Sequence, residues 1–424
     1  MAIGSLTAHP LIVTLRGLRG NVRGVVLTEP LWGIPYNLYA PYVSVYMLAL
    51  GLADSQIGLV ASVGLTCQIF WATMSGAITD KFGRKRTTLV ADIVSWSIPC
   101  LIWAFAQDFN AFLIAAMVNS IWRVANTSWV CLLVEETDPD ILVDVYSLIY
   151  IAGLMAAFLS PLTSLLIASF SLVPTMRGLY LLAFVMMTIK FVTMNMMVTE
   201  PAQGIERMRA TQHQSLFAVL HGSRGVLRQI LHTPETMVTG GLMIIVAIAM
   251  MIHNTFWGVF VTEKLQVDAQ YLAFYYVARS VTMLLFYFLV MPRLRAGDVR
   301  RPMVFGFAGL IVAWSLLISI PPQSYLLLLL VTIVEGCSLP AINTLLGKLV
   351  ATSVEPKERA RIMAILDLVV LVSTSPFGWI AGQMSEISRS LPFLLNIGLF
   401  TIGATLAFVA SRRAAAVSAA ARVP

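Results

Sequence analysis

The residues best placed to do chemistry are ionisable groups stranded among apolar ones. Arg123, Arg279 and Glu335 each lie near the middle of a long apolar run. A charge at the centre of a membrane-spanning helix costs roughly 2.5–3.5 kcal/mol on insertion scales, so such residues are functional candidates by default. A carboxyl group in a low-dielectric site is pushed toward its neutral form by desolvation and toward its charged form by a nearby arginine. An arginine moving toward or away from Glu335 would therefore switch its affinity for a proton. Arg123 and Arg279 can be those switching partners, anchors for an anionic ligand group, or members of ion pairs that only lock helix packing. His253 can titrate near physiological pH or serve as a hydrogen-bonded bystander. Asp367 can pair with Arg361 or gate the inner mouth of a pathway. Lys190 is expected to snorkel toward the inner surface, and Glu29 and Asp92 are expected at the interface.

Such positions imply a membrane, and the composition requires one. The 424 residues are 58% hydrophobic and 12% charged, with a mean hydropathy of +0.83. Soluble domains carry about 25% charged residues, which excludes soluble enzymes, nucleic-acid binders and disordered scaffolds. Twelve apolar runs are long enough to cross a bilayer: 25–50, 56–79, 88–107, 110–134, 141–169, 178–199, 237–262, 269–291, 303–320, 324–350, 360–383 and 391–410. Lipid offers no partner to exposed backbone groups, so each run is a helix or part of a closed barrel. Runs over 20 residues without alternation exclude the barrel. The expected fold is an all-α polytopic bundle of 12 transmembrane helices. With the N-terminus inside, only Arg177, Lys264 and Arg389 fall outside, Arg123, Lys190 and Arg279 lie within runs, and the other 22 of the 28 basic residues are inside. That bias puts both termini on the cytoplasmic side of the cytoplasmic membrane. It also accounts for the net charge of +7 without a nucleic-acid partner. Cys67, Cys100, Cys131 and Cys337 all fall in apolar runs and read as small hydrophobes.

The chain repeats itself. Asp54-Ser55-Gln56 before run 2 corresponds to Asp268-Ala269-Gln270 before run 8, Gly83 to Gly297, and Arg86 to Arg300. Ser160-Pro161 in run 5 corresponds to Ser375-Pro376 in run 11, each preceded by an acid-proline pair, Asp138-Pro139 and Glu355-Pro356. Two sets of six helices with matching punctuation are the pattern of a two-half transporter. The expected divisions are a cytoplasmic segment 1–24, a first half 25–199, a linker 200–236, a second half 237–410 and a tail 411–424. In the linker, Phe217, Leu220, Leu227 and Leu231 oppose His221, Arg224 and Arg228, which predicts an amphipathic helix on the membrane surface.

Between runs 2 and 3 stands Gly76-Ala77-Ile78-Thr79-Asp80-Lys81-Phe82-Gly83-Arg84-Lys85-Arg86. Gly76 permits close approach of a neighbouring helix, Asp80 can accept from an arginine, and Gly83 allows a sharp reversal. The string resembles the helix 2–3 loop signature of the major facilitator superfamily at every signature position. The resemblance implies two six-helix halves around a central cavity that opens alternately to each side, lined by helices 1, 2, 4, 5, 7, 8, 10 and 11. Asp80 and Arg84 then belong to a cytoplasmic gate that stabilises the outward-facing state, with Glu135, Glu136 or Asp138 as the partner of Arg84. Arg123-Val124-Ala125-Asn126-Thr127 is similar to the Arg-x-x-Gln-Gly pattern of proton-coupled members, with Asn and Thr in the last two places. Ala156-x-x-x-Ser160-Pro161-x-x-Ser164 is similar to the Gly-x-x-x-Gly-Pro-x-x-Gly core of antiporters, with other small residues for the glycines.

On that resemblance Glu335, Arg123, Arg279, Asp367 and His253 meet water and substrate, Glu335 carrying the coupling proton. Asn37, Tyr39, Tyr42 and Tyr46 of run 1, Trp122, Asn126 and Trp129 around Arg123, and Tyr275 and Tyr276 before Arg279 complete either an aromatic-lined cavity or an interfacial belt. The expected function is a secondary active transporter of a small organic solute, proton-coupled and leaning to export of amphipathic compounds. Two arginines against one glutamate favour uptake of an organic anion instead, and a transporter-like receptor or lipid-handling protein is the alternative of another class. The expected partners are a small-molecule substrate, protons and the lipid bilayer, with the protein a monomer as is usual in the family. No enzyme activity, cofactor or metal is expected, since neither Gly-x-x-x-x-Gly-Lys-Ser/Thr nor His-Glu-x-x-His occurs.

Overall fold

The computed structural model describes residues 10–213, 234–290, 300–353 and 359–420, and among them there are helices and turns but no strand. The main helix of each apolar run is α1 (Pro30–Tyr39), α2 (Asp54–Phe82), α3 (Arg84–Asp92), α4 (Trp122–Val134), α5 (Leu142–Ala157) and α6 (Leu172–Met197). They continue as α7 (Pro234–Val259), α8 (Leu272–Leu289), α9 (Arg300–Ser319), α10 (Tyr325–Ser353), α11 (Arg359–Thr374) and α12 (Leu391–Ala420). Ten helical stretches among the described residues are long and apolar enough to cross a membrane. Runs 1 and 4 are not in that set, and each is broken. Run 1 is cut at Pro30 and Pro41 into Gly20–Thr28, α1 with Pro35 inside it, a 3-10 turn Ala40–Tyr42 and Val43–Ala49; proline lacks the N–H a helix needs and crowds the preceding turn. Run 4 breaks at Ser120, between Phe109–Asn119 and α4.

Two other runs change pitch without breaking. α3 passes through a π-helical turn, Ile93–Ser97, into Ile98–Phe105, and α7 ends in a second one, Phe260–Lys264. The repeated Ser-Pro pairs act alike. Pro161 opens Pro161–Phe170 after α5 stops at Ala157, and Pro376 precedes Phe377–Ile387 after α11 stops at Thr374. A shared mark in the sequence is thus the same break in both halves.

The chain divides into two compact units, residues 1–50 with 63–222, and residues 51–62 with 223–424. The predicted linker helix Ser215–Leu231, the loop from Arg295 to Val299 and the Glu355-Pro356 pair lie outside the described residues. In the first unit the core is aromatic. The Tyr180 ring lies 4.9 Å from Tyr39, 5.7 Å from Tyr46 and 5.5 Å from Trp103, and the Tyr46 hydroxyl donates to the Trp103 carbonyl at 3.0 Å. Tyr42 is fully buried, with its hydroxyl 3.4 Å from Ser164 Oγ. The three tyrosines expected to line a cavity are therefore internal to this unit. Large rings gain most by burial when their one polar atom finds a partner, as Tyr42 and Tyr46 do.

The core of the second unit surrounds Trp314, whose ring lies 4.8 Å from Phe400 and 5.9 Å from Phe393. The first turns of α2 belong here too. A Cβ on Gly378 would stand 2.7 Å from the Gly58 carbonyl and 2.7 Å from Ser62 Oγ, so only glycine lets these two backbones meet. Beside that contact, Asp54 accepts from Ser385 at 2.6 Å and pairs with Arg389 at 3.3 Å.

Candidate functional site

Glu335, His253 and Arg279, one each from α10, α7 and α8, come together inside the second unit. α8 and α10 can approach at this level because residue 336 is glycine: a Cβ there would stand 3.0 Å from Thr282 Cβ and 3.3 Å from the Arg279 carbonyl. Glu335 is 2% exposed and His253 1%. His253 Nε2 lies 2.8 Å from Arg279 Nη1, and its Nδ1 lies 3.3 Å from Glu335 Oε1. Arg279 Nη2 is 4.0 Å from the same carboxylate oxygen. A guanidinium only donates, so Nε2 is the acceptor and the hydrogen of the neutral ring sits on Nδ1, facing the carboxylate. Trp314 stacks on the imidazole at 5.7 Å and 12°, which fixes the ring plane. The result is a buried cluster in which the arginine bonds the histidine, while His253 Nδ1 and Glu335 Oε1 approach each other without forming a hydrogen bond and have no other hydrogen-bond partner among the described residues. A proton added to Glu335 would leave the arginine charge unbalanced, and its removal would restore the balance. Tyr275 stands aside from this cluster: its hydroxyl donates to the Tyr325 carbonyl at 3.2 Å, and its ring is edge-on to Trp257 at 6.3 Å.

The turn between α2 and α3 is a second polar cluster, wholly in the first unit. Gly83 has φ +83°, a left-handed conformation that glycine adopts without strain. A Cβ there would stand 2.8 Å from Met208 Sδ and 3.0 Å from the Glu200 carboxylate. Arg84 is 3% exposed. Its Nη1 lies 3.1 Å from Asp80, and its Nε and Nη2 donate to Glu135 at 3.2 and 3.0 Å. Of the three acids after α4, Glu135 is therefore the partner. Glu200 accepts from the backbone N–H groups of Arg84 and Lys85 at 2.6 and 2.8 Å, a carboxylate set on the start of α3 where the helix dipole favours negative charge. Gly76 does not have the expected role: no described atom lies within 4 Å of where its Cβ would be.

The remaining candidates are dispersed. Arg123 lies in the first unit and Glu335 in the second. Arg123 Nε donates to Gln68 at 3.0 Å, and the guanidinium lies 4.4 Å over the Trp122 ring. Asn126, three residues on, is exposed. Asn37 Nδ2 donates to the Gly33 carbonyl of its own helix at 2.8 Å. Asp367 is exposed on α11, and the Arg361 side chain expected to pair with it lies outside the described residues. Lys190 does not snorkel: it is 4% exposed, and its Nζ lies 3.3 Å from Glu29 Oε2. Asp92 is 6% exposed. An acid within reach inside the unit holds the ammonium more closely than distant water does.

Two groups escaped the sequence reading. Glu200 follows run 6 directly and looks like an ordinary loop acid, with nothing in its neighbours to betray the fold-back onto Gly83. Arg389 reads as one of three outside basic residues, yet it holds Asp54 at 3.3 Å and Glu263 at 3.5 Å, and Glu386 accepts from the Ser55 hydroxyl at 2.5 Å. The Asp-x-Gln repeat at 54–56 and 268–270 was the available signal. No group of three or more His, Cys, Asp or Glu residues suited to a metal occurs among the described residues.

Residues 32–257 match the family model described as Major Facilitator Superfamily. No curated protein matches the chain in sequence. Among solved structures, the nucleoside transporter NupG superposes with a TM-score of 0.71 at 16% identity, over 92% of this chain and 99% of that one. The human organic anion transporter MFSD10 (TETRAN) gives 0.61 at 15% identity, over 91% and 98%. A bacterial homologue of the human lysosomal transporter Spinster gives 0.67 at 14%, over 92% and 96%. At such identities the likeness is one of fold.

Proposed function

The chain belongs to the major facilitator superfamily, and on that premise we propose that it is a proton-coupled secondary transporter of a small organic solute. It is a multi-pass membrane protein; in this reading it lies in the cytoplasmic membrane with both termini inside. The observation that carries the coupling is the buried cluster of Arg279, His253 and Glu335, in which Glu335 Oε1 lies 3.3 Å from the histidine and 4.0 Å from the arginine. A proton on Glu335 cancels the carboxylate and leaves one guanidinium charge in a low-dielectric site. Leaving such a charge unpaired is strongly unfavourable, so an anionic group of the solute takes the vacated role. Proton and organic anion then bind together, and loss of the proton recaptures Arg279 and expels the anion. In this reading Arg123, stacked on Trp122, is a candidate solute anchor of the first unit, and the Arg84–Asp80–Glu135 cluster is the gate.

Export of an amphipathic compound is the second reading. It draws on the antiporter-like pattern in run 5, where Pro161 breaks the helix and Thr163 Oγ1 donates to the Leu38 carbonyl of α1 at 3.0 Å. A cationic group would then compete with the proton for Glu335.

The test is proton movement in proteoliposomes, followed with a pH-sensitive dye and a panel of anionic and cationic amphiphiles. Proton flux evoked by an anion and running with it, reduced at least about tenfold (~1.4 kcal/mol) in Glu335→Gln, is the expected result. Flux evoked only by cations and running against them establishes export. Solute binding without proton flux in either direction sinks the coupling and leaves a uniporter, an exchanger or a receptor.

A further inference from the structure

Besides Arg84, the first unit buries two charged side chains, Asp92 and Lys190, with a partly buried third, Glu29, beside Lys190. Glu29 occupies the break before Pro30, Asp92 is the last residue of α3, and Lys190 lies within α6. Lys190 and Asp92 are 4% and 6% exposed, and Lys190 Nζ is 3.3 Å from Glu29 Oε2. From Arg84 at the start of α3, Asp92 is eight residues along the helix, about 12 Å of rise, so it is well removed from the surface turn.

Charge counting makes the cluster unusual. A structural ion pair needs one acid and one base, and Glu29 with Lys190 already supplies both. Asp92 is surplus: a second carboxylate, buried on α3 where that helix and the turn after it pack against α6. Its Oδ2 is shielded from solvent and has no hydrogen-bond partner among the described residues. An ionised carboxylate in that condition is expensive, while a protonated one is not. A second feature marks the same spot. The π-helical turn Ile93–Ser97 begins at the very next residue, and such turns recur at functional sites. Ser95, one turn on from Asp92, is fully buried and its Oγ likewise has no partner among the described residues.

The other ionisable groups on the surrounding elements are occupied elsewhere or neutral. On α3, Arg84 is held by Asp80 and Glu135. On α4, Arg123 bonds Gln68, and Cys131 lies beside the Arg84–Glu135 pair. Beyond the π turn Cys100 is a buried thiol, and α1 presents Tyr36, stacked on Trp32 at 4.7 Å. Among the described residues, Lys190 and Glu29 are the charged groups to which the Asp92 carboxyl responds.

We propose that Glu29, Asp92 and Lys190 form a proton-binding site of the first half, separate from Glu335, in which Asp92 carries the proton. The ammonium and Glu29 form the fixed pair, and the proton on Asp92 removes the one remaining charge. The protein thus titrates at two places, one in each unit, and the first-half site does not depend on the coupling role of Glu335.

The experiment is an infrared pH titration of the purified protein in lipid nanodiscs, reading the C=O stretch of protonated carboxylic acids. A band that survives Glu335→Gln and is lost in Asp92→Asn is the expected result. Lys190→Met, which removes the neighbouring positive charge, should move the midpoint of that band upward by about 1 pH unit or more, and it serves as the test if Asp92→Asn does not fold. A spectrum unchanged by Asp92→Asn, or a midpoint indifferent to Lys190→Met, overturns the proposal in favour of a permanently ionised structural cluster. Loss of the band on replacing choline with Na⁺ at constant pH overturns it in favour of a metal-cation site.

Discussion

Arg84 is almost out of reach of water, and its guanidinium is gripped from two sides, by Asp80 at 3.1 Å and by Glu135 at 3.0 and 3.2 Å. A fork of that geometry is not reproduced by an ammonium, which is a point charge on a flexible stem. Arg84→Lys should therefore lose most of the interaction despite keeping the charge. The expected cost is about 2 kcal/mol, within the range for hydrogen bonds to charged groups, read as a lower unfolding temperature in detergent. An unchanged midpoint would show that the cluster contributes nothing to stability. Which residues mattered here was legible, because charge in an apolar sequence is conspicuous. Which atoms meet was not: Glu135, Glu136 and Asp138 look equivalent along the chain, and only the end of α4 decides among them. Lys190 shows the opposite failure. Its place on an outer helix suggested lipid, but the family resemblance assigns helices and not side-chain directions, and Glu29 drew the amine inward.

At the scale of elements, glycine contacts do the positioning. Gly58 and Gly378 bring the start of α2 against Phe377–Ile387, and Gly336 brings α10 against α8 at Arg279. Close backbone approach is how membrane helices associate when lipid removes the usual apolar driving force. Gly378→Val should displace the two helices, because its Cβ would fall 2.7 Å from the Gly58 carbonyl. The expected outcome is loss of a cysteine cross-link introduced between Ser55 and Glu386, whose side chains meet, while a cross-link that forms as before would contradict the contact. Helix positions were readable from apolar length. The breaks were readable only where proline marks them, as at Pro161 and Pro376. The turns at Ile93–Ser97 and Phe260–Lys264 contain neither proline nor glycine, so they left no trace in the sequence.

For the molecule as a whole, the excess of basic residues on one side of the predicted runs is the best evidence for orientation. A fluorescent protein fused after Pro424 should mature and fluoresce, and alkaline phosphatase at the same place should be inactive; the reverse pattern would invert the topology. The duplicated halves were legible from punctuation at matching offsets, and the matching breaks at Pro161 and Pro376 give that repeat a structural meaning. The pairing of Glu335 with Arg279 and His253 was legible only as a set of candidates. Within the second unit, the sequence named the helices without naming which side chains meet.

The wide turn at Ile93–Ser97 has one more consequence. A π-helical turn uses about one residue more than an α-helical turn, so it amounts to a single-residue insertion in the history of this helix. Deleting one residue there would restore regular pitch and rotate everything before it by about 100° relative to everything after. Arg84 and Thr88 would then swing together away from Glu135 and Ser128, their partners on α4 and at its end. One added residue thus sets the phase of the whole first half of the helix.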